Sequence, residues 1–357
     1  MCVETNEGIT GWGECFGPGN IALANKFIIE NVISPMIVGE DPINREKIWH
    51  KVYNLLRDSG QKGMPIQALS GLDIALWDIL GKKAKLPLYQ LIGGKCNSEI
   101  EVYGYGMMLQ NKPVKELIAL FQDEAKHIKS KNFKAMKMKV GLGPKKDLQL
   151  VTAVRKVIGD DYKLMVDANH AYNTPDALHV GRGLDDLGVY WFEEPVAPED
   201  YEGYKELKNK LKTNIAGGEA EFTKWGWSHL IQNRCIDIAQ PEVCGLGGIT
   251  EYLKVVAMAQ ANFIPVVNHV WGSALSIAVN LHLLTAMPDM PGGLFSAKPM
   301  LEFDTTDKNI FISDLAEEKF NIFDQVKNNN GFVKTLEGFG IGLNPSKDFI
   351  KKYEVTK

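Results

Sequence analysis

From Glu99 onward the chain repeats one pattern: a short apolar run, a polar turn, then an amphipathic helical stretch. Such alternation marks successive βα units, because parallel strands are joined by crossovers long enough to hold a helix. Eight apolar runs fit it, at residues 100–106, 135–140, 163–167, 190–193, 214–219, 236–242, 264–269 and 300–304. Eight parallel strands separated by seven helices close into a barrel more readily than they spread as an open sheet. The expected fold is therefore α/β, with a TIM-like (β/α)7β barrel over residues 99–310.

The flanking segments read differently. Residues 1–98 give a strand at 1–5, a turn at Asn6-Glu7-Gly8 and a second strand to about Cys15. Helices follow near 21–37, 44–57 and 65–85, with apolar residues recurring at three and four. This segment is α+β and carries no repeat. Beyond residue 310 the tail is rich in turns and ends its patterned part in Gly338-Phe339-Gly340-Ile341-Gly342; it is expected to pack back on the N-terminal segment. A chain of 357 residues accommodates one barrel with a smaller appended domain.

Composition removes several partners. The formal net charge of −4 shows no basic excess, which argues against nucleic acid. Cys2, Cys15, Cys96, Cys235 and Cys244 are scattered and form no CxxC pair, so neither a disulfide framework nor a zinc site is expected, and a reducing cytoplasm is the natural setting. The most apolar late stretch, 273–287, is interrupted by Asn280 and His282, and the first residues lack a basic region followed by an apolar one; no membrane partner is expected.

Catalytic groups of such barrels collect at the C-terminal strand ends. Asp167, Glu193 and Glu219 recur at intervals of 26 residues on three consecutive strands, which places three carboxylates at one level of the barrel mouth. Three oxygen donors with no cysteine and no paired histidine suit Mg2+; the alternative for each alone is a helix cap or a surface ion pair. Lys137 and Lys139 obey the strand period of two and so share the interior face. Two ammonium groups about 4 Å apart repel by about 4 kcal/mol at an effective dielectric near 20, roughly three pKa units. That brings one lysine toward the range of a general base, with the carboxylates offsetting part of it.

His269 ends the seventh run, 27 residues after Glu242, so neighbouring strands can join the two. A carboxylate on one imidazole nitrogen fixes the tautomer and frees the other for proton exchange. Asn169 and His170 follow the third strand and Trp271 the seventh; each is a candidate substrate contact, with helix-start or packing roles as the alternatives. The remaining histidines, 50, 127, 179, 229 and 282, fall in helices and read as structural. Gly245-Leu246-Gly247-Gly248 lacks the Lys-Ser/Thr ending of a P-loop and reads as a tight βα turn.

Taken together, Lys137-x-Lys139, Asp167-Ala168-Asn169, Trp191-Phe192-Glu193-Glu194-Pro195, Gly217-Gly218-Glu219 and Asn268-His269 resemble the mandelate racemase group of the enolase superfamily. That superfamily uses a lysine or histidine base with Mg2+ to stabilise an ene-diolate. The resemblance implies that Asp167, Glu193 and Glu219 bind Mg2+, that Lys139 and His269 are acid/base groups on opposite faces, and that Lys137 lowers the Lys139 pKa. It implies that Glu302 bonds the substrate carboxylate near the developing charge. It also makes residues 1–98, together with the tail from 311 to 357, an α+β capping domain.

Muconate lactonizing relatives carry a lysine where this chain has His269. Within the mandelate racemase group, the stretch from Ala68 to Asp78 and His269-Val270-Trp271-Gly272 look closest to acid-sugar enzymes, dehydratases and a galactarolactone cycloisomerase among them. The implied reaction is β-elimination or lactone cycloisomerisation of a small acid sugar by a homo-oligomer. Racemisation or epimerisation, or a metal- or sugar-acid-binding barrel without chemistry, are the alternatives. A metal-dependent hydrolase would carry His-x-His near the first barrel strand, where Tyr103-Gly104-Tyr105 stands. Two departures from the family pattern stand out: the partner of the histidine is Glu242 where an aspartate is usual, and the chain begins inside what resembles the second capping strand, without the first strand and specificity loop.

Overall fold

The computed structural model describes residues 1–17, 19–289, 298–306, 309–317 and 321–354. Alternation along the strands sorts their side chains into two cores. Val102, Met136, Leu164, Phe192, Ile215, Ala239 and Leu301 point outward into a large core shared with the helices. Their neighbours Tyr103, Ala135, Met165, Trp191, Ala216, Ile238 and Met300 point the other way and, with Val267, form a small inner core. One residue from each of eight successive segments thus meets in one cluster, which requires the sheet to curl strongly.

Ten strands are formed among the described residues: β1 Cys2–Glu4, β2 Thr10–Trp12, β3 Ile100–Gly106, β4 Ala135–Lys139, β5 Lys163–Asp167, β6 Trp191–Glu193, β7 Asn214–Gly217, β8 Ile238–Ala239, β9 Met300–Asp304 and β10 Phe332–Val333. β1 and β2 make an antiparallel pair. The main sheet runs parallel in the order β9-β3-β4-β5-β6-β7-β8, and β10 adds antiparallel to β3. The seventh expected strand, 264–269, is not a regular strand: a single parallel bridge joins Ala239 to Val266. Pro265 has no N–H to give a ladder. Its carbonyl accepts from Ala239 N at 2.9 Å, and Val267 N returns a bond to Ala239 O at 2.9 Å.

Helices α1 Ile21–Ile28, α2 Ser34–Ile37, α3 Arg45–Leu56, α4 Met64–Ala84 and α5 Leu88–Ile92 precede β3, with a π turn at Ile29–Ile33. Among the described residues seven more separate the sheet segments: α6 Val114–Ser130, α7 Pro144–Ile158, α8 Thr174–Asp186, α9 Tyr201–Lys210, α10 Thr223–Gln232, α11 Gly248–Ala261 and α12 Ala274–Ala286. The tail holds α13 Ile310–Ser313, α14 Ile322–Asn328 and α15 Lys347–Tyr353. Among the described residues no helix is long and apolar enough to cross a membrane.

α4 is apolar on nearly every face because it is enclosed on nearly every face. Leu69, Leu72, Leu76 and Ile79 join an N-terminal core with Trp49, Val52 and Ile66, whereas Ile74 and Trp77 belong to the large core. Three of its buried polar residues tie it to other segments: Ser70 and Asp73 to the start of α11, and Asp78 to β2 and the tail. Ser70 accepts from Gly247 N at 2.9 Å, and Asp73 accepts from Thr250 N at 2.8 Å and Thr250 Oγ1 at 2.6 Å. The Gly245–Gly248 turn is therefore the docking point of α4; a side chain on Gly248, at φ 80°, would meet the Asp73 carboxylate. Asp78 accepts from Trp12 N and from Ile341 N, both at 2.9 Å. The glycine run of the tail closes the same contact, with Leu88 N bonded to Gly340 O at 2.8 Å and His282 Nε2 at 2.9 Å from Ile341 O.

Burial pushes the Asp73 carboxyl up to about 7, against the Thr250 bonds and Arg45 that pull it down. A carboxyl that is a weaker acid folded than unfolded stabilises fully below its unfolded pKa, near 4, and that stability is lost as pH rises through 7. A shift of that size is worth about 4 kcal/mol. Asp73→Asn keeps an acceptor for Thr250 and cannot ionise. Thermal melts between pH 4 and 8 should show a flatter dependence for Asp73→Asn than for the parent.

Candidate active site

The polar residues of the sheet gather where β4 to β9 end. Lys137 and Lys139 face inward together, as the strand period requires. The Lys137 ammonium lies 2.5 Å from Glu193 Oε1, 2.6 Å from Glu302 Oε1 and 3.6 Å from Asp167 Oδ2. Burial works against its charge, yet the carboxylates of Glu193, Glu302 and Asp167 hold it protonated, well above the ordinary lysine range. Lys139, nearer the mouth, pairs with Asp167 and donates to Asn169 Oδ1 at 2.5 Å.

Asp167, Glu193 and Glu219 each present an oxygen within 4.8 Å of the others, the first two buried and Glu219 partly so. Their placement is specified from below. Glu193 Oε2 accepts from Trp191 Nε1 at 2.9 Å and from Gln240 Nε2 at 2.7 Å, and Asp167 Oδ1 accepts from Asn169 N at 2.9 Å. Burial raises Asp167, but Lys137 and Lys139 hold it below the usual carboxylate range. Burial also raises Glu193, and with Asp167, Glu302 and Glu219 crowding it against the pull of Lys137 its carboxyl reaches about 8. Glu194 is pushed well up by burial and then by Glu219, Asp167 and Glu193. Such crowding, with three carboxylate oxygens converging, could hold a hard divalent cation.

At the Glu219 side stands His269, 6% exposed. Its Nδ1 is 2.7 Å from Glu242 Oε2 and its Nε2 3.2 Å from Glu219 Oε2. The longer Glu242 side chain thus reaches the histidine, and its other oxygen accepts from Cys244 N at 2.8 Å. Burial alone would lower the imidazole pKa; Glu219, Glu242 and Glu302 overcome it and carry it to about 10. Glu302 also accepts from Val270 N at 3.0 Å. Trp271 is 43% exposed and sits edge-on to Phe16, which also meets the His269 ring at 5.8 Å. His170 lies 3.1 Å from Glu194 through Nε2. The five other histidines lie in helices α3, α6, α8, α10 and α12.

Sequence reasoning assigned no part to Phe16, Gln240 or Glu194. Phe16 arrives from a segment distant in sequence, and no local pattern announces it. Glu194 follows a strand residue that faces inward, so alternation places it on the far side; a left-handed turn at φ 43° brings it back to the mouth.

Residues 1–93 match the family described as mandelate racemase/muconate lactonizing enzyme, N-terminal domain, and residues 120–349 match the enolase C-terminal domain-like family. The chain belongs to the mandelate racemase/muconate lactonizing enzyme family of the enolase superfamily. It is 34% identical over 353 residues to a D-galactarolactone cycloisomerase of Agrobacterium fabrum, covering 99% of this chain and 90% of that protein. An arabinonate dehydratase of Saccharolobus solfataricus is 36% identical over 286 residues, 80% of this chain and 75% of that one. Among solved structures, the 3,6-anhydro-D-galactonate cycloisomerase from Zobellia galactanivorans superposes with a TM-score of 0.86 at 35% identity, covering 99% of this chain and 92% of that one.

The His269 charge depends on its carboxylate partners. In metal-free protein, Glu242→Gln should lower the imidazole pKa from about 10 by about one to three units. Imidazole NMR titration of parent and variant measures it, and an unchanged value would remove Glu242 from the pair.

Proposed function

We propose that this chain abstracts the proton alpha to the carboxylate of an acid sugar and carries the enediolate on to β-elimination or lactone cycloisomerisation, with Mg2+ as cofactor. The observation that carries the reading is one row of side chains: Lys139 bonded to Asp167 at one end of the acid triad, and His269 against Glu219 at the other. Two proton-transfer groups thus flank one cation cradle. The sugar-acid relatives support the substrate class. The eight-segment inner core supports a closed (β/α)7β barrel over 99–310, and the contacts of Asp78 support a capping domain made by 1–98 and the tail from 311 to 357. The scattered cysteines support a cytoplasmic setting, and the family resemblance implies a homo-oligomer.

Asp167, Glu193 and Glu219 would hold Mg2+, which supplies positive charge to the substrate carboxylate as its electron density rises. The residues do the rest. Lys139 or His269 takes the alpha proton, according to which face of the carbon bears it. The C–H electron pair enters the carboxylate, returns to form the Cα–Cβ double bond, and expels the β oxygen, which the other group protonates. Lys137, fixed among carboxylates, and Glu302 face the same centre and set its charge balance. Asn169 and Trp271 are the expected substrate contacts at the rim.

A panel of mono- and diacid sugars and their lactones, incubated with Mg2+ in deuterated water, tests this. The parent should consume one of them and place deuterium at the former β carbon, where the enol product takes up a solvent proton as the alpha carbon becomes a ketone, and chelation should stop turnover until Mg2+ is restored. Lys139→Ala and His269→Asn should each lose turnover by about 100-fold or more. An epimeric product without loss of the β oxygen would assign racemase chemistry to the same residues. Full turnover in both variants would end the proposal.

A further inference from the structure

Glu194 takes no part in these steps, yet it is 1% exposed and sits at the centre of a second set of bonds at the strand ends. Its Oε2 accepts from Asn169 Nδ2 at 3.3 Å and lies 3.1 Å from His170 Nε2. His170 is tied to the same residue through its backbone, donating to Glu194 O at 2.8 Å, and its Nδ1 lies 3.4 Å from Val196 O. Asn169, His170 and Glu194 hold φ angles of 40°, 65° and 43°. Three non-glycine residues in the left-handed region, mutually bonded, are a conformation the sequence adopts at a cost, and such strain collects at functional sites.

The Asn169 amide is held at both ends. Its Oδ1 accepts from the Lys139 ammonium at 2.5 Å, while Nδ2 faces Glu194 at 3.3 Å and Glu219 at 3.5 Å. A lysine ammonium only donates, so it is satisfied by the amide oxygen and repelled by the amide nitrogen. The acceptor on Nδ2 decides which way the amide points. Glu219, the more distant acceptor, belongs to the cation cradle; Glu194 does not.

We infer that Glu194 is a positioning residue for Lys139: by accepting from Asn169 Nδ2 it fixes the amide with its oxygen toward the lysine and holds that amine in place, with His170 bracing the same carboxylate. On this reading both ring nitrogens of His170 are engaged within the protein, and the residue serves as a brace. The base role of Lys139 rests on the function proposed above; the clamp itself does not.

The test compares Glu194→Gln, which keeps an oxygen acceptor, with Glu194→Ala, which has none. For alpha-proton exchange, kcat should fall about 10- to 100-fold in Glu194→Ala, with Mg2+ affinity near the parental value, and Glu194→Gln should restore most of the loss. A second readout needs no turnover. Lysines carrying carbon-13 methyl groups are observed by NMR, and the Lys139 signal is identified by its absence from Lys139→Ala. That signal should move toward the positions of exposed lysines in Glu194→Ala and stay in place in Glu194→Gln. If Glu194→Ala does not fold, Asn169→Ala, altered at an exposed position, should move the signal the same way. An unmoved Lys139 signal, or equal kcat in the Gln and Ala variants, overturns the clamp. A parent silent on every acid sugar with the signal behaving as described would sink the proposed function and leave the clamp standing.

Discussion

A lysine ammonium buried among three carboxylates fixes the chemistry of the strand ends. Lys137 is 2% exposed and touches Glu193, Glu302 and Asp167. Buried charges of one sign are tolerated only when opposite charge and hydrogen bonds surround them, and removing one partner of such a set costs about 3–5 kcal/mol. With Lys137 in place, Asp167 and Glu302 remain ionised in spite of their burial. It does not serve all of its neighbours, because Glu193 and Glu194 are still pushed upward. The crowding of carboxyl groups is tightest where the three triad oxygens converge, and the proposed cation would relieve it.

The N-terminal segment completes the site as well as supporting it. Glu14 accepts from Ser273 N at 2.9 Å, Ser273 Oγ at 2.5 Å and Ser276 N at 3.0 Å, so it caps the first turn of α12 just beyond His269 and Trp271. Phe16 N bonds to Cys244 O at 2.8 Å, two residues past Glu242. The phenyl ring is thereby set against both His269 and Trp271. Contacts of α4 with α11 and with the tail hold this segment in register, so packing remote from the acids determines which wall faces them.

Much of this was legible from residue order, for definite reasons. The period of two fixed Lys137 and Lys139 on one face, and the 26-residue interval brought Asp167, Glu193 and Glu219 within one cradle, because equal βα units return each strand end to the same level. β3, β5 and β9 fall at the expected residues. Illegible features depend on single backbone choices. The apolar run before His269 reads as a strand by hydrophobicity, but Pro265 leaves only one bridge. Glu194 and Asn169 lie past the last paired residue of their strands, where a positive φ redirects a side chain that alternation would send elsewhere. Phe16 required the tertiary fold itself.

In the proposed function the three carboxylates act as one cation site supported by Lys137. Calorimetric titration of the metal-free protein with Mg2+, beside Asp167→Asn and Glu193→Gln, addresses this directly. One Mg2+ per chain in the parent and none in either variant, with both variants still folded, is the predicted result. Equal binding by parent and variants, or a parent that binds no divalent cation, would contradict it.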